Sequence, residues 1–199
     1  MRSESSSFLG RARRDQIVRA TIELLADVGY GATSLSAIAE KIGASKGVVS
    51  YHFAGKDELL TQVVNSVLQD AAAFMAPRVQ TASGAPAKLR AYVQANLQFL
   101  GEHRDDIRAL TAILTSLPPG SDGLPVYAAA GRDAVEALAT LLRTGQDTGE
   151  FRDFTPSVVA RSVRAAIDAV SELLNVEPDL DVSAYARELL ALFEPGVLA

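Results

Sequence analysis

Short runs of helical apolar periodicity, each closed by a glycine, constrain the first third of this chain more tightly than any other feature. Ile17, Thr21, Leu24, Leu25 and Val28 fall on one face of a first helix that stops at Gly29, followed by Tyr30 and Gly31. Glycine just past a helix end supplies a left-handed cap. Thr33 or Ser34 can cap a short second helix carrying Leu35, Ile38, Ala39 and Ile42, and Gly43 ends it. Ser45 caps a third helix running to Tyr51 or His52. Short helices with a tight Gly43-Ala44 turn between the last two form a helix-turn-helix pattern.

Helical periodicity continues to the end of the chain, with no strand alternation and no internal repeat. A fourth helix begins near Lys56 and runs through Leu59, Leu60, Val63, Val64, Val67, Leu68 and Ala71 toward Pro77. Gly55 is a tolerable cap for it, and Asp57 and Glu58 suit the positive end of its dipole. "QTASGAP" interrupts the chain, and Pro86 opens a helix with Leu89, Tyr92, Val93, Asn96, Leu97 and Leu100. Further helices are expected at 105–117, 125–145, 156–175 and 182–193, separated by "SLPPGSDG", by Thr155-Pro156 and by "EPDLD". The expected fold class is therefore all-α, with about nine helices. It divides into an N-terminal arm and helix-turn-helix over 1–55 and a helical body over 56–199.

Charge is distributed unevenly. The whole chain carries a net charge of −5, yet residues 1–60 hold 8 Lys/Arg against 7 Asp/Glu, leaving the acidity to the remainder. The first 14 residues carry Arg2, Arg11, Arg13 and Arg14 against a single Glu4. Such asymmetry points to a nucleic-acid- or membrane-directed end on an acidic body, or else to a solvated, disordered tail. The absence of cysteine removes disulfides, thiolate nucleophiles and cysteine-rich zinc sites. No h-region opens the chain and no run of roughly 18 apolar residues follows, so a soluble, cytoplasmic protein without a membrane partner is expected.

The stretch "GASKGVVSYHFAGKDELL" has a physical reading of its own. In a helix-turn-helix the recognition helix enters the major groove while neighbouring groups hold phosphates. Ser45, Lys46, Gly47, Val48 and Ser50 are small or flexible, as close approach to DNA requires, and Val49 points the other way as an anchor. Val48 can touch a thymine methyl, and Lys46 can reach guanine acceptors or a phosphate. Tyr51 and His52 carry polar tips suited to phosphate oxygens, and the start of the fourth helix offers free amides beside Lys56. The competing reading is that Tyr51, His52 and Phe53 close a small core. For Phe53 the core is preferred; for Tyr51 and Lys46, contact with DNA.

"TSLSAIAEKIGASKGVVSYHFAGKDELL", preceded by "LLADVGYGATSL", resembles the DNA-binding domain of TetR-family transcriptional regulators over about the first 60 residues. Beyond it the likeness is architectural, with "GEFR" (Gly149 to Arg152) ahead of the eighth helix. The resemblance implies a homodimer paired through C-terminal helices, a palindromic double-stranded DNA operator bound by the N-terminal domains, and release by a small-molecule effector. It puts phosphate-contacting roles on Thr33, Ser45, Tyr51, His52 and Lys56, and base-facing roles on Lys46, Gly47, Val48 and Ser50. The family often has Thr where this chain has Val48 and an aromatic where it has Ser50, so the operator sequence does not carry over.

The helix from Ser157 to Leu174 presents Val158, Val159, Val163, Ala166, Ile167, Ala169, Val170, Leu173 and Leu174, more than one narrow stripe. A helix apolar on two faces is covered on both. One face can pack on its own body, the other, with Tyr185, Leu189, Leu192 and Phe193, in a symmetric four-helix contact, unless the helix is simply buried in a monomer. Polar residues on otherwise apolar helices, candidates for an effector pocket, are Tyr92, Asn96, His103, Thr111, Thr115, Tyr127, Arg164 and Asp168. Arg164 and Asp168 sit four apart and read equally as a helix-surface ion pair, and His103 as a helix-end residue. The surrounding apolar residues favour a mainly hydrophobic effector.

Three function classes follow: a ligand-responsive DNA-binding regulator, a regulator of the same fold answering to a protein partner or to nothing, and a helical enzyme. His52 and His103 are the only histidines, and no nucleophile-base pair, phosphate loop or metal-spaced cluster accompanies them. An enzyme is disfavoured, and no metal or cofactor is called for.

Overall fold

The computed structural model describes residues 2–199, with side chains from Leu9 onward. The described residues form nine helices: α1 (Arg2–Ala32), α2 (Leu35–Lys41), α3 (Lys46–His52), α4 (Lys56–Gln80), α5 (Ala85–Glu102), α6 (Arg104–Ser116), α7 (Gly123–Asp147), α8 (Pro156–Val176) and α9 (Val182–Val197). The all-α architecture is as the periodicity predicts. Residues 2–14, read from charge as an arm or a solvated tail, form the opening of α1. The side chains of Arg2 and Glu4 lie outside the described residues.

Packing produces two compact units, Met1–Val67 with Asp105–Tyr127, and Leu68–Arg104 with Ala128–Ala199. In the first, Ile17, Thr21 and Leu25 of α1 are buried as expected, joined by Val18 and Ile22. Val28, assigned by periodicity to the same face, is 54% exposed. The register explains the difference: the larger buried side chains repeat at 17, 18, 21, 22 and 25, and the backbone leaves the helix before another turn completes. Gly29 does this at φ 76°, ψ 178°. That is not the left-handed cap expected but an extended, positive-φ region essentially confined to glycine.

Ile38, Ala39, Val49, Phe53, Leu59, Leu60, Val63 and Val64, with Ile107, Leu110 and Ile113 of α6, add to the apolar interior of this unit. Asp106, in the first turn of α6, is buried to 4% exposure and accepts a 2.9 Å bond from Arg19 of α1. Ser34 is the residue that caps α2, its hydroxyl accepting from the Ala37 amide at 3.1 Å. Thr33, the alternative, is buried and donates its hydroxyl to the Gly29 carbonyl at 2.8 Å.

In the second unit α5 packs against both α8 and α9. Leu89, Val93 and Leu97 of α5 join Leu138 and Leu142 of α7 and Ile167 and Val170 of α8 in its core. "GEFR" ties three elements together. The Glu150 carboxylate accepts the Ala85 amide at the start of α5, at 3.3 and 3.2 Å. Phe151 is buried over Gly145, where a Cβ would lie 2.2 Å from the ring, and the Arg152 amide bonds the Val197 carbonyl at 3.1 Å. An isolated antiparallel bridge joins Phe151 to Leu198. α4 and α9 each continue about one turn beyond their expected ends, through Pro77 and Pro195. No described helix is long and apolar enough to cross a membrane.

Candidate nucleic-acid interface

α2 and α3 pack together around a turn in which Gly43 takes φ 63° and the Ala44 amide bonds the Ala39 carbonyl at 2.8 Å. α3 has only seven residues, too few to be stable alone, so its pose depends on what it packs against. Its inward anchors are Val49, fully buried, and Phe53, 1% exposed, just past its end. The core reading of Phe53 is the one realised.

The opposite face is open. Ser45, Lys46, Gly47, Ser50 and Tyr51 are exposed, and Val48 and His52 are half-buried. Tyr51 is 85% exposed, with its ring set edge-on to the His52 ring at 5.1 Å between centroids. Ser45 occupies the cap position by backbone geometry, but its hydroxyl makes no capping bond. A Cβ at Gly47 would meet only the Ser45 hydroxyl, at 3.6 Å, so nothing within the chain requires glycine there.

Two residues given phosphate roles by resemblance are engaged within the unit. The Thr33 hydroxyl is buried and bonded to Gly29, as described. The Lys56 ammonium donates to the Tyr30 carbonyl at 2.8 Å and lies 3.9 Å from the centre of the Tyr30 ring. Burial lowers its pKa below the ordinary lysine value, partly opposed by neighbouring Asp57.

Sequence reading missed the corner where α3 meets α4. Glu58 accepts the Ala54 amide at 2.7 Å, much as a capping box does, and the spacing of Glu58 behind Gly55 was the available signal. That bond, chiefly, holds the Glu58 carboxyl below its usual pKa; slight burial opposes it, and Arg14 reinforces it by hydrogen bond and charge. Arg14 itself, counted with the tail arginines, reaches this corner from α1. No local pattern announces a contact between residues 38 positions apart.

Among the effector candidates, four converge. Arg164 donates to Asn96 Oδ1 at 2.8 Å and to the Tyr92 hydroxyl at 3.3 Å, and also pairs with Asp168. Asn96 in turn donates to the Tyr92 carbonyl at 2.8 Å. The i,i+4 pair expected on a helix surface is therefore the outer half of a cluster joining α8 to the buried side of α5. Burial opposes the Arg164 cation, but Tyr92 and Asp168 outweigh it and hold its pKa above the ordinary value.

His103 ends α5, as expected, its amide bonding the Phe99 carbonyl at 2.9 Å. Its ring stacks on Phe99 at 4.2 Å. Thr111, Thr115 and Tyr127 belong to the other packing unit; Thr115 is exposed and returns its hydroxyl to the Thr111 carbonyl.

On α8, Ala160, Val163, Ile167, Val170 and Leu174 are buried, while Val158 is 59% and Val176 74% exposed. On α9, Leu189 and Leu190 are buried and Leu192 is 75% exposed. Val163, Ile167, Val170 and Leu174 thus form the face of α8 that packs on its own body, whereas Leu189, counted toward a shared surface from sequence, belongs to the unit's own core. Val159, Ala166, Leu173, Tyr185 and Phe193 are half-buried beside the exposed positions. Among the described residues no group of three His, Cys, Asp or Glu side chains is disposed to hold a metal.

Comparison with known proteins agrees with this geometry. Residues 17–63 match the profile for bacterial regulatory proteins of the tetR family, and residues 82–192 match the tetracyclin repressor-like C-terminal domain. The HTH-type transcriptional regulator BetI of Burkholderia thailandensis is 40% identical over 85 residues, which span 42% of this chain and 44% of that relative. The fatty acid degradation regulator FadR of Bacillus halodurans superposes with a TM-score of 0.79 at 18% identity, over 90% of this chain and 93% of that one. AibR, solved with isovaleryl coenzyme A and operator DNA, superposes with a TM-score of 0.75 at 20% identity, over 90% and 97%.

Proposed function

We propose that this chain, which belongs to the tetR family of bacterial regulatory proteins, is a cytoplasmic repressor that binds a palindromic operator as a homodimer and leaves it on binding a small, mainly hydrophobic effector. Family membership makes it a DNA-binding transcriptional regulator rather than an enzyme. The observation that carries the finer reading is α3: a helix anchored by Val49 and Phe53 that turns Ser45, Lys46, Gly47, Ser50 and Tyr51 outward. Base-facing roles fall on Lys46, Gly47, Val48 and Ser50. Phosphate contacts fall on Ser45, Tyr51 and His52, with Thr33 and Lys56 acting through their backbone or by shaping the corner.

Dimerisation is supported by the apolar strip that stays uncovered on the second unit, Val158 and Val176 of α8 and Leu192 of α9. A symmetric pairing of these helices buries it, and two-fold symmetry then demands half-sites about 34–36 Å apart or a multiple of that. For the effector, Tyr92, Asn96 and Arg164 offer a polar group to an otherwise apolar ligand, and Asp168 balances the arginine when none is bound. A fold neighbour solved with isovaleryl coenzyme A and operator DNA is consistent with control by a small molecule.

Selection of a random duplex library on the purified protein, near physiological salt, tests this reading. Recovery of a two-fold symmetric motif is expected, and apolar compounds are then screened for release of the selected duplex. Folded protein that recovers no motif, or an asymmetric one, overturns the palindromic homodimer. A motif insensitive to every compound favours control by a protein partner.

A further inference from the structure

Arg14 lies at the end of the basic cluster that composition reads as a nucleic-acid- or membrane-directed end or a solvated tail, yet its side chain is committed within the unit. Its guanidinium donates to the carbonyl of His52, the last residue of α3. It lies 3.4 Å from Glu58 of α4 and 4.1 Å from the centre of the Phe53 ring. Glu58 in turn holds the Ala54 amide at 2.7 Å. One planar fork thus joins α1, the end of α3 and the start of α4, a geometry that suits arginine and not lysine.

The consequence follows from the length of α3. With seven residues it supplies little rigidity of its own, and its last carbonyls have no intrahelical donors. Val49 and Phe53 fix its depth through apolar contact, which is non-directional. A hydrogen bond to the His52 carbonyl is directional and restrains rotation and tilt at the end nearest the exposed Tyr51 ring. We propose that Arg14 is a positioning residue for sequence readout: it sets the pose of α3 and so governs discrimination between duplexes rather than general attraction to DNA. Arg11, which is exposed, is left to the electrostatic role, while Arg13 bonds Gln16 at 2.6 Å.

The test compares Arg14→Lys and Arg14→Gln in the full chain, with two probes: the duplex selected by the wild type and a random-sequence duplex of equal length. Both variants are expected to lose about tenfold or more in affinity for the selected duplex, the scale of one lost charge-assisted hydrogen bond. Affinity for the random duplex stays within about twofold, and the salt dependence keeps its slope. The proposal is overturned if Arg14→Lys binds like wild type while Arg14→Gln weakens both probes equally with a slope shallower by about one, the behaviour of a phosphate contact. It is also overturned if neither variant changes the ratio between probes. Should Arg14→Gln fail to fold, Arg14→Lys, which keeps stem and charge, decides the matter alone by that ratio. Failure of the wild type to select any duplex would instead strike at sequence-specific binding itself.

Discussion

Arg19 and Asp106 are 87 positions apart in sequence and 2.9 Å apart in space, the carboxylate 4% exposed and the guanidinium side chain 57% exposed. The pair fastens α1 to the first turn of α6. Its asymmetry matters: the buried partner depends on its contacts, while the exposed one is already screened by water.

Arg19→Ala is therefore expected to destabilise the first unit by about 1–2 kcal/mol, toward the low end for a carboxylate deprived of a charged donor because Arg19 is so exposed. Urea unfolding of the variant reads this directly. An unchanged midpoint would mean that the remaining contacts of Asp106 suffice.

Gly29→Ala forces a Cβ into a backbone region that only glycine adopts comfortably, and a loss of about 1–3 kcal/mol is expected. Nothing lies within 4 Å of the added carbon, so the cost is conformational and not steric. Gly31→Ala, with open space and no positive φ, should stay within about 0.5 kcal/mol of wild type. Equal effects at the two glycines would refute this account.

Tyr51→Phe and Val49→Ala separate the two faces of α3. The first removes an exposed hydroxyl and should weaken binding to a selected duplex about three- to tenfold, with stability unchanged within about 0.5 kcal/mol. The second removes buried methyls and should cost about 1–3 kcal/mol of stability. Circular dichroism melts and duplex titrations distinguish them, and a Tyr51→Phe protein that unfolds contradicts the assignment.

Glu58 gives a pH signature. Its folded pKa is held below the unfolded carboxyl value of about 4.3, so its contribution is fully present above that pH and is lost as pH falls through the lower folded value. Wild type and Glu58→Gln should differ in Tm at neutral pH and converge in acid as pH falls through the lowered folded pKa of Glu58. A difference that persists undiminished in acid would show that charge at Glu58 is irrelevant.

Leu192→Glu places a charge on the uncovered apolar strip of α9. Because Leu192 is 75% exposed within the chain, the fold is expected to survive while the homodimer dissociates. Sedimentation velocity of both proteins at micromolar concentration checks this, and a wild-type monomer or a Leu192→Glu dimer argues against the proposed contact.

These residues divide cleanly by the range of the forces that place them. Sequence alone determined which helices form from Ile17 onward, though not their ends, because apolar spacing, glycine breaks and caps such as Ser34 act within a turn or two of themselves. It also determined the anchor role of Val49 and the outward face from Ser45 to Tyr51, since a two-turn helix with one apolar side has few ways to lie. Tertiary structure alone decided what the charged side chains are for. Arg14, Lys56, Arg19 and Arg164 look interchangeable in a sequence, as long cations on polar faces. Their roles come from a carbonyl, a ring or a carboxylate delivered from 26 to 87 residues away, and no local periodicity encodes such a meeting.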